Sequence, residues 1–210
     1  DYRQVEDDLR DALRSKDSLM RELNHRVKNN LSMLSSLISL KDAETEEDLS
    51  DIKHRIAAIG LVHEKLHRQD ATQQISAREY LQELLDAVSS SFTAQPVHID
   101  TAIDDIQIDH NTAIPLGLIV NEIATNAIKH GFTTEEPARF GITLTSDGDE
   151  TYYTLILSNT GNSFPEEVGL ENPDTLGLQL ISGLVGQLRG TLELQKYPHP
   201  VFTISFPHAR

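Results

Sequence analysis

The apolar positions of this chain change period as the sequence advances. Val5, Leu9, Ala12, Leu19, Leu23, Val27, Leu34 and Leu37 or Ile38 recur near the three- and four-residue spacing of one helix face. The pattern predicts a single helix from about Asp1 to Leu40. That far exceeds the ~11–12 residues of an average globular helix and points to a coiled coil or bundle. Lys41 to Glu47 is polar and acidic and reads as a turn. Ile52, Ile56, Ile59, Val62 and Leu66 mark a second helix, about Asp48 to Arg68. The resulting αα-hairpin carries an apolar stripe too wide to cover itself, so dimerisation into a four-helix bundle is expected.

Beyond Arg68 the pattern is mixed. Gln69 to Ile75 reads as a polar linker, and Ser76-Ala-Arg-Glu79 is a capping box opening a helix to about Ser91. Val97 to Ile103 alternates at the two-residue period of a strand. Asn111 to His130 is helical, with Gly131 as its stop. Gly141–Ser146 and Tyr152–Ser158 are β-rich and flank Asp147-Gly148-Asp149-Glu150, a hairpin signal. Asn159 to Thr175 is a long loop, Leu176 to Leu188 a helix, and Thr191–Gln195 and Val201–Phe206 the last strands, around Tyr197-Pro-His-Pro200. Helices segregated from a mostly antiparallel sheet predict an α+β sandwich.

Composition narrows the function. The 210 residues suit one or two domains, and 38% apolar content with 24% charged residues suits a soluble protein. The net charge of −15 argues against nucleic acid or an anionic membrane as the main partner, without excluding a small anion such as ATP held by local charge. The absence of cysteine removes disulfides and thiolate zinc sites. No apolar run approaches the ~18 residues of a membrane span. With no signal-peptide pattern and a start in mid-helix, the expected location is the cytoplasm, as a whole protein or a piece of a larger one.

Four segments carry candidate chemistry. In Glu22-Leu-Asn-His-Arg-Val-Lys-Asn-Asn-Leu31, His25 shares a helix face with Glu22, Lys28 and Asn29, beside the apolar stripe of Leu23, Val27, Leu31 and Leu34. Neutral imidazole offers a lone pair for nucleophilic attack, although an ordinary solvated helix face would have the same composition. In Leu118 to Gly131, Glu122, Asn126, Lys129 and His130 fall at i, i+4, i+7 and i+8, a polar group interrupting an apolar segment. The Asn126 amide oxygen suits Mg²⁺ and the Lys129 ammonium suits phosphate. Leu155 to Pro165 runs from a strand into a glycine-containing turn. Thr175 to Ile181 runs from a loop into a helix whose N-terminus favours an anion. His63-Glu64-Lys65-Leu66-His67 also fits the zinc-peptidase pattern His-Glu-x-x-His, but no third ligand follows at a known spacing.

Together with Arg55 to His67, and in this order, the segments resemble a sensor histidine kinase core. The subclass is the one whose phosphoacceptor sits in a His-Arg-Val-Lys-Asn-Asn motif, related to the HWE kinases. The resemblance runs from about Leu19 to Pro207. It implies a signalling linker helix over residues 1–18, a dimerisation and histidine-phosphotransfer hairpin over 19–70, and a Bergerat-type ATP-binding domain over 71–210. It implies that His25 is phosphorylated from ATP and that the phosphoryl group passes to an aspartate in the receiver domain of a response regulator. Asn126 would hold Mg²⁺, with Glu122 and Lys129 beside the phosphates and His130 at the pocket. Asn159 would take the adenine-binding place, Gly161 would lie in the same loop, and Gly177 in the helix-start box under the phosphates. A homodimer and an upstream sensor domain outside this chain are implied, with no nucleic acid and no membrane contact from this fragment. By geometry Glu22, one turn before His25, is the candidate base, and Asn29, one turn after, could position water.

Several positions depart from the family pattern. Asn159 replaces the usual Asp, Ser163 replaces the second glycine of that loop, and Pro198-His-Pro200 stands where a Gly-Thr turn is common. Arg26 follows the histidine where many relatives have an acid, and the chain has no tryptophan. Asn159 can accept from the adenine amino group but lacks the charge-assisted part of that bond, on the order of 1 kcal/mol. A phosphotransferase or pseudokinase adaptor with a degenerate nucleotide site is therefore the alternative to an active kinase.

Overall fold

The computed structural model describes residues 74–90, 96–133, 136–148, 151–166, 168–170 and 176–208. The expected hairpin, with Glu22, His25, Asn29 and the segment from His63 to His67, lies outside the described residues.

Strand β1 (Gln74–Ser76) leads into helix α1 (Ala77–Ser90). The Ser76 hydroxyl accepts from the Glu79 backbone N–H at 3.3 Å, as the capping box predicts. The helix buries Ala77, Tyr80, Leu81, Leu84, Leu85 and Val88, one continuous stripe. β2 (His98–Ile103) and β3 (Gln107–Asp109) follow. β1 pairs antiparallel with β3, setting buried Ile75 against buried Ile108. The polar-linker reading of Gln69–Ile75 missed β1 because three residues are too few to display a period.

Helix α2 (His110–Asn126) is capped by the Asp109 carboxylate, which accepts from Thr112 N–H at 2.9 Å. Every residue from Thr112 to Thr125 is buried, so α2 is the central helix of the domain. Its last turn, Ala127–Gly131, is a π-helix, closed where Phe132 N–H donates to the Ala127 carbonyl at 3.2 Å. The sequence predicts one uniform α-helix here. A single five-residue π turn leaves no mark in hydrophobic periodicity.

The sheet is built from β2, β4 (Arg139–Ser146), β5 (Tyr152–Asn159), β6 (Thr191–Gln195) and β7 (Val201–Pro207). Among the described residues its order is β2-β4-β5-β7-β6. β2 runs parallel to β4 and every other pair is antiparallel. Buried and less buried residues alternate along β4, β5 and β7, placing Ile142, Leu144, Leu155, Leu157, Phe202 and Ile204 on one covered face. The β4–β5 turn is tied by the Asp147 carboxylate, which accepts from the Thr151 hydroxyl and backbone N–H. Helix α3 (Leu176–Gln187) adds Leu178, Ile181, Leu184 and Val185 to the core. The architecture is the expected α+β arrangement. No helix among the described residues is long and apolar enough to cross a membrane.

α1 meets α2 at a close approach. Tyr80 is fully buried, its hydroxyl has no hydrogen-bond partner, and burial pushes its ionisation above the ordinary phenol range. The hydroxyl lies over Gly117, where an added Cβ would overlap it. Gly117→Ala is therefore expected to destabilise the fold by about 2–3 kcal/mol in denaturant melts. Tyr80→Phe removes the orphaned hydroxyl, is expected to be neutral or stabilising, and should relieve only part of the Gly117→Ala loss in the double variant, because the ring Cζ would still lie 2.6 Å from the added Cβ.

Candidate functional site

The buried run of α2 ends at Asn126, which is exposed. Glu122, one turn earlier, is buried. The first turn of α3 faces both: a Cβ built on Gly177 would lie 3.4 Å from Asn126 Nδ2 and 3.6 Å from Glu122 Oε2. The polar pair and the start of α3 are thus neighbours in space, although about fifty residues separate them.

Beyond Asn126 the π turn delivers its end to the loop after β5. The Gly131 carbonyl accepts from Asn162 N–H at 2.7 Å. Gly161 has φ +98°, a conformation that favours glycine, and an added Cβ there would overlap the Gly131 carbonyl oxygen. A Cβ on Gly131 would in turn lie 2.8 Å from Asn159 Nδ2. Gly131 is therefore more than the helix stop the sequence suggests, because its bare Cα lets Asn159 close in. Asn159 is buried, and its Nδ2 donates to the Thr160 carbonyl at 2.8 Å. Thr160 is tied to β4, its N–H donating to the Arg139 carbonyl at 3.1 Å and its hydroxyl to the Pro137 carbonyl at 2.9 Å.

Between these elements lies a cavity of about 520 Å³. Ile123, Asn126, Ala127, His130 and Gly131 line it from the helix, and Asn159, Asn162, Ser163, Phe164, Pro165 and Val168 from the loop. Gly177 and Leu178 of α3, with Pro200 and Phe202 around the start of β7, complete the wall. Phe164 meets Phe202 edge to face, with centroids 5.8 Å apart. The volume and the mainly apolar wall with a few polar groups suit a small organic ligand.

Of the residues singled out in the sequence, Asn126, His130, Asn159 and Gly177 line one cavity. Gly161 shapes the loop without lining it, and Glu122 is buried one turn behind. Lys129 is partly exposed and does not line the cavity. The wider π turn accounts for that difference, because the i, i+7 relation assumed for an α-helix does not hold past Ala127. Ile123, Leu178, Pro200 and Phe202 were not singled out as site residues. They look like ordinary core positions in the sequence, and only the fold collects them. Among the described residues no group of three or more His, Asp or Glu side chains could hold a metal by itself.

Residues 22–92 match the HisKA_2 family model, described as histidine kinase. The match places residues 22–92 in the histidine kinase family. The sensor histidine kinase PdtaS of Mycobacterium tuberculosis is 30% identical over 191 residues, 88% of this chain and 38% of that protein. Blue-light-activated histidine kinase 2 of Erythrobacter litoralis is 24% identical over 190 residues, 86% of this chain and 54% of that protein. The chain thus spans from about two fifths to about half of these curated relatives. The solved histidine kinase domain of the Erythrobacter litoralis EL346 blue-light-activated kinase superposes with a TM-score of 0.74 at 22% identity, covering 89% of this chain and 92% of that one. At that identity the superposition shows the shared fold.

Gly161→Ala is expected to cost about 2–4 kcal/mol, from backbone strain plus overlap with the Gly131 carbonyl. Denaturant melts measure the loss, and amide exchange over residues 159–165 should accelerate more than over β4.

Proposed function

We propose that this chain is the core of a two-component sensor histidine kinase. It binds ATP in the cavity between α2, the 159–168 loop and α3, phosphorylates itself on His25, and passes the phosphoryl group to an aspartate of a response-regulator receiver domain. The observation that carries the reading is the meeting of Asn126, His130, Asn159 and Gly177 around one cavity, in a chain whose residues 22–92 match the histidine kinase family. Residues 19–70 would form the hairpin that dimerises as a four-helix bundle, driven by the unpartnered apolar stripe. Residues 1–18 would bring the signal from an upstream sensor domain. The match over residues 22–92 takes in His63-Glu64-Lys65-Leu66-His67, so the zinc-peptidase reading is not favoured, and neither is the adaptor reading.

The residues present fit ATP and magnesium. Ile123, Leu178 and Phe202 offer apolar contact for a purine. With Nδ2 committed to the Thr160 carbonyl, Asn159 keeps its amide oxygen to accept from an adenine amino group. Asn126 and the N-terminal turn of α3 at Gly177 stand together for the phosphates, where free N–H groups and the helix dipole favour negative charge. Asn126 offers one oxygen to Mg²⁺, which usually takes few protein ligands and completes its shell from phosphate and water. Bound magnesium neutralises charge developing on the phosphate oxygens. Lys129 and His130, in the following turn, add donors at the same end of α2.

In the transfer, an imidazole nitrogen of His25 bonds to the γ-phosphorus as the bond from that phosphorus to the β–γ bridging oxygen breaks, and ADP leaves. Glu22 takes the proton released from the ring. Asn29 positions water for dephosphorylation of the partner regulator.

Incubation with γ-labelled ATP and Mg²⁺ tests the proposal. Wild type should acquire acid-labile label, His25→Ala none, and Glu22→Gln label at a rate about 100-fold lower. Undiminished label on His25→Ala would reject His25 as the acceptor, and an unchanged rate in Glu22→Gln would reject the base.

A further inference from the structure

The turn between β6 and β7 has no task in the proposed reaction, yet it is stitched along the loop that lines the cavity. The Pro200 carbonyl accepts from Asn159 N–H at 3.4 Å, and the Lys196 carbonyl from Phe164 N–H at 3.1 Å. Lys196 Nζ donates to the Glu166 carbonyl at 2.7 Å. Between these ties, His199 Nδ1 lies 3.0 Å from the Gly161 carbonyl oxygen. A carbonyl oxygen only accepts, so Nδ1 carries the hydrogen.

Two features make this bond consequential. First, it acts on the Gly161–Asn162 peptide unit, whose other end is also held, since Asn162 N–H donates to the Gly131 carbonyl at 2.7 Å. The peptide plane is thus pinned from both sides, the carbonyl by the β6–β7 turn and the N–H by the π turn. Second, this unit follows Gly161, the residue at positive φ, so its orientation fixes the direction in which the loop leaves toward Ser163 and Phe164. Ser163 lacks the backbone freedom of a glycine and cannot readily compensate if that peptide rotates.

We infer that His199 is a positioning residue for nucleotide binding: its Nδ1–H holds the Gly161 carbonyl and thereby sets the cavity wall formed by Asn159, Asn162, Ser163 and Phe164. His199 does not itself line the cavity, and it acts through the loop. The inference rests on the nucleotide reading of the cavity and adds a residue that the reading does not require.

The test uses the full chain as wild type, His199→Phe and His199→Asn. Phenylalanine keeps a ring and removes the donor. Asparagine places Nδ2 where Nδ1 of histidine stands. His199→Phe should weaken ATP binding in calorimetry about fivefold, the scale of one neutral hydrogen bond. The same factor should appear in KM for ATP rather than in kcat, and amide exchange over residues 159–165 should quicken. His199→Asn should restore affinity and KM toward wild type. Equal affinity of wild type and His199→Phe would overturn the inference and leave the nucleotide reading standing. Equal weakening in both variants would reduce His199 to a packing role and also overturn it. No ATP binding by wild type would remove both readings together. Should His199→Phe fail to fold, His199→Leu, which matches asparagine in shape but lacks its donor, takes its place against His199→Asn.

Discussion

The Gly131 carbonyl is the point on which the site depends. It ends the π turn that follows α2, accepts the N–H of Asn162, and packs against the bare Cα of Gly161. Gly131 also has no side chain, and Asn159 occupies the space where one would stand. Two glycines and one short hydrogen bond thus join the exit of the central helix to the exit of the central strand β5. The cavity lies at this junction, and its polar groups come from the two joined segments and from α3. A methyl group at Gly161 would push against the Gly131 backbone, and one at Gly131 would displace the Asn159 side-chain amide.

The rest of the domain makes that junction rigid. α2 is buried on all sides from Thr112 to Thr125, so it cannot slide or tilt without disturbing its packing against α1 and α3. This packing leaves the Asn121 side-chain oxygen and the Thr125 hydroxyl buried without partners, at a cost on the order of 1–3 kcal/mol each. Apolar burial along the same helix offsets that cost. β5 is equally constrained, since it pairs with β4 on one side and β7 on the other. A rigid helix and a rigid strand hold Asn126 and Asn159 at fixed places, and the loop beyond Asn159 is held by bonds to β4 and to the β6–β7 turn.

Much of this was legible in the sequence because it follows local rules. Ser76 caps α1 as its capping box implies, the β4–β5 hairpin falls around Asp147 and Gly148, and α3 begins at Leu176. Asn126, His130, Asn159 and Gly177 stand out in the sequence because polar residues and glycines interrupting apolar segments require a reason, and the fold sets all four around one cavity. What escaped has no local signature. β1 and β3 are three residues each and form only by pairing across α1. The π turn alters backbone spacing without altering residue type, so the sequence does not show that Lys129 lies off the cavity wall. The parallel pairing of β2 with β4, and the gathering of Pro200 and Phe202 to the cavity, are products of the chain's long-range path. Nothing near His199 in sequence shows that it reaches Gly161.

Amide hydrogen exchange of the full chain with and without ATP and Mg²⁺ tests the central claim most directly. The account predicts slower exchange at residues 123–131, 159–166 and 177–180 when nucleotide is present, with the edge strand β2 unchanged. No change at those three segments, or protection confined to other parts of the chain, would contradict the assignment of this cavity as the nucleotide site.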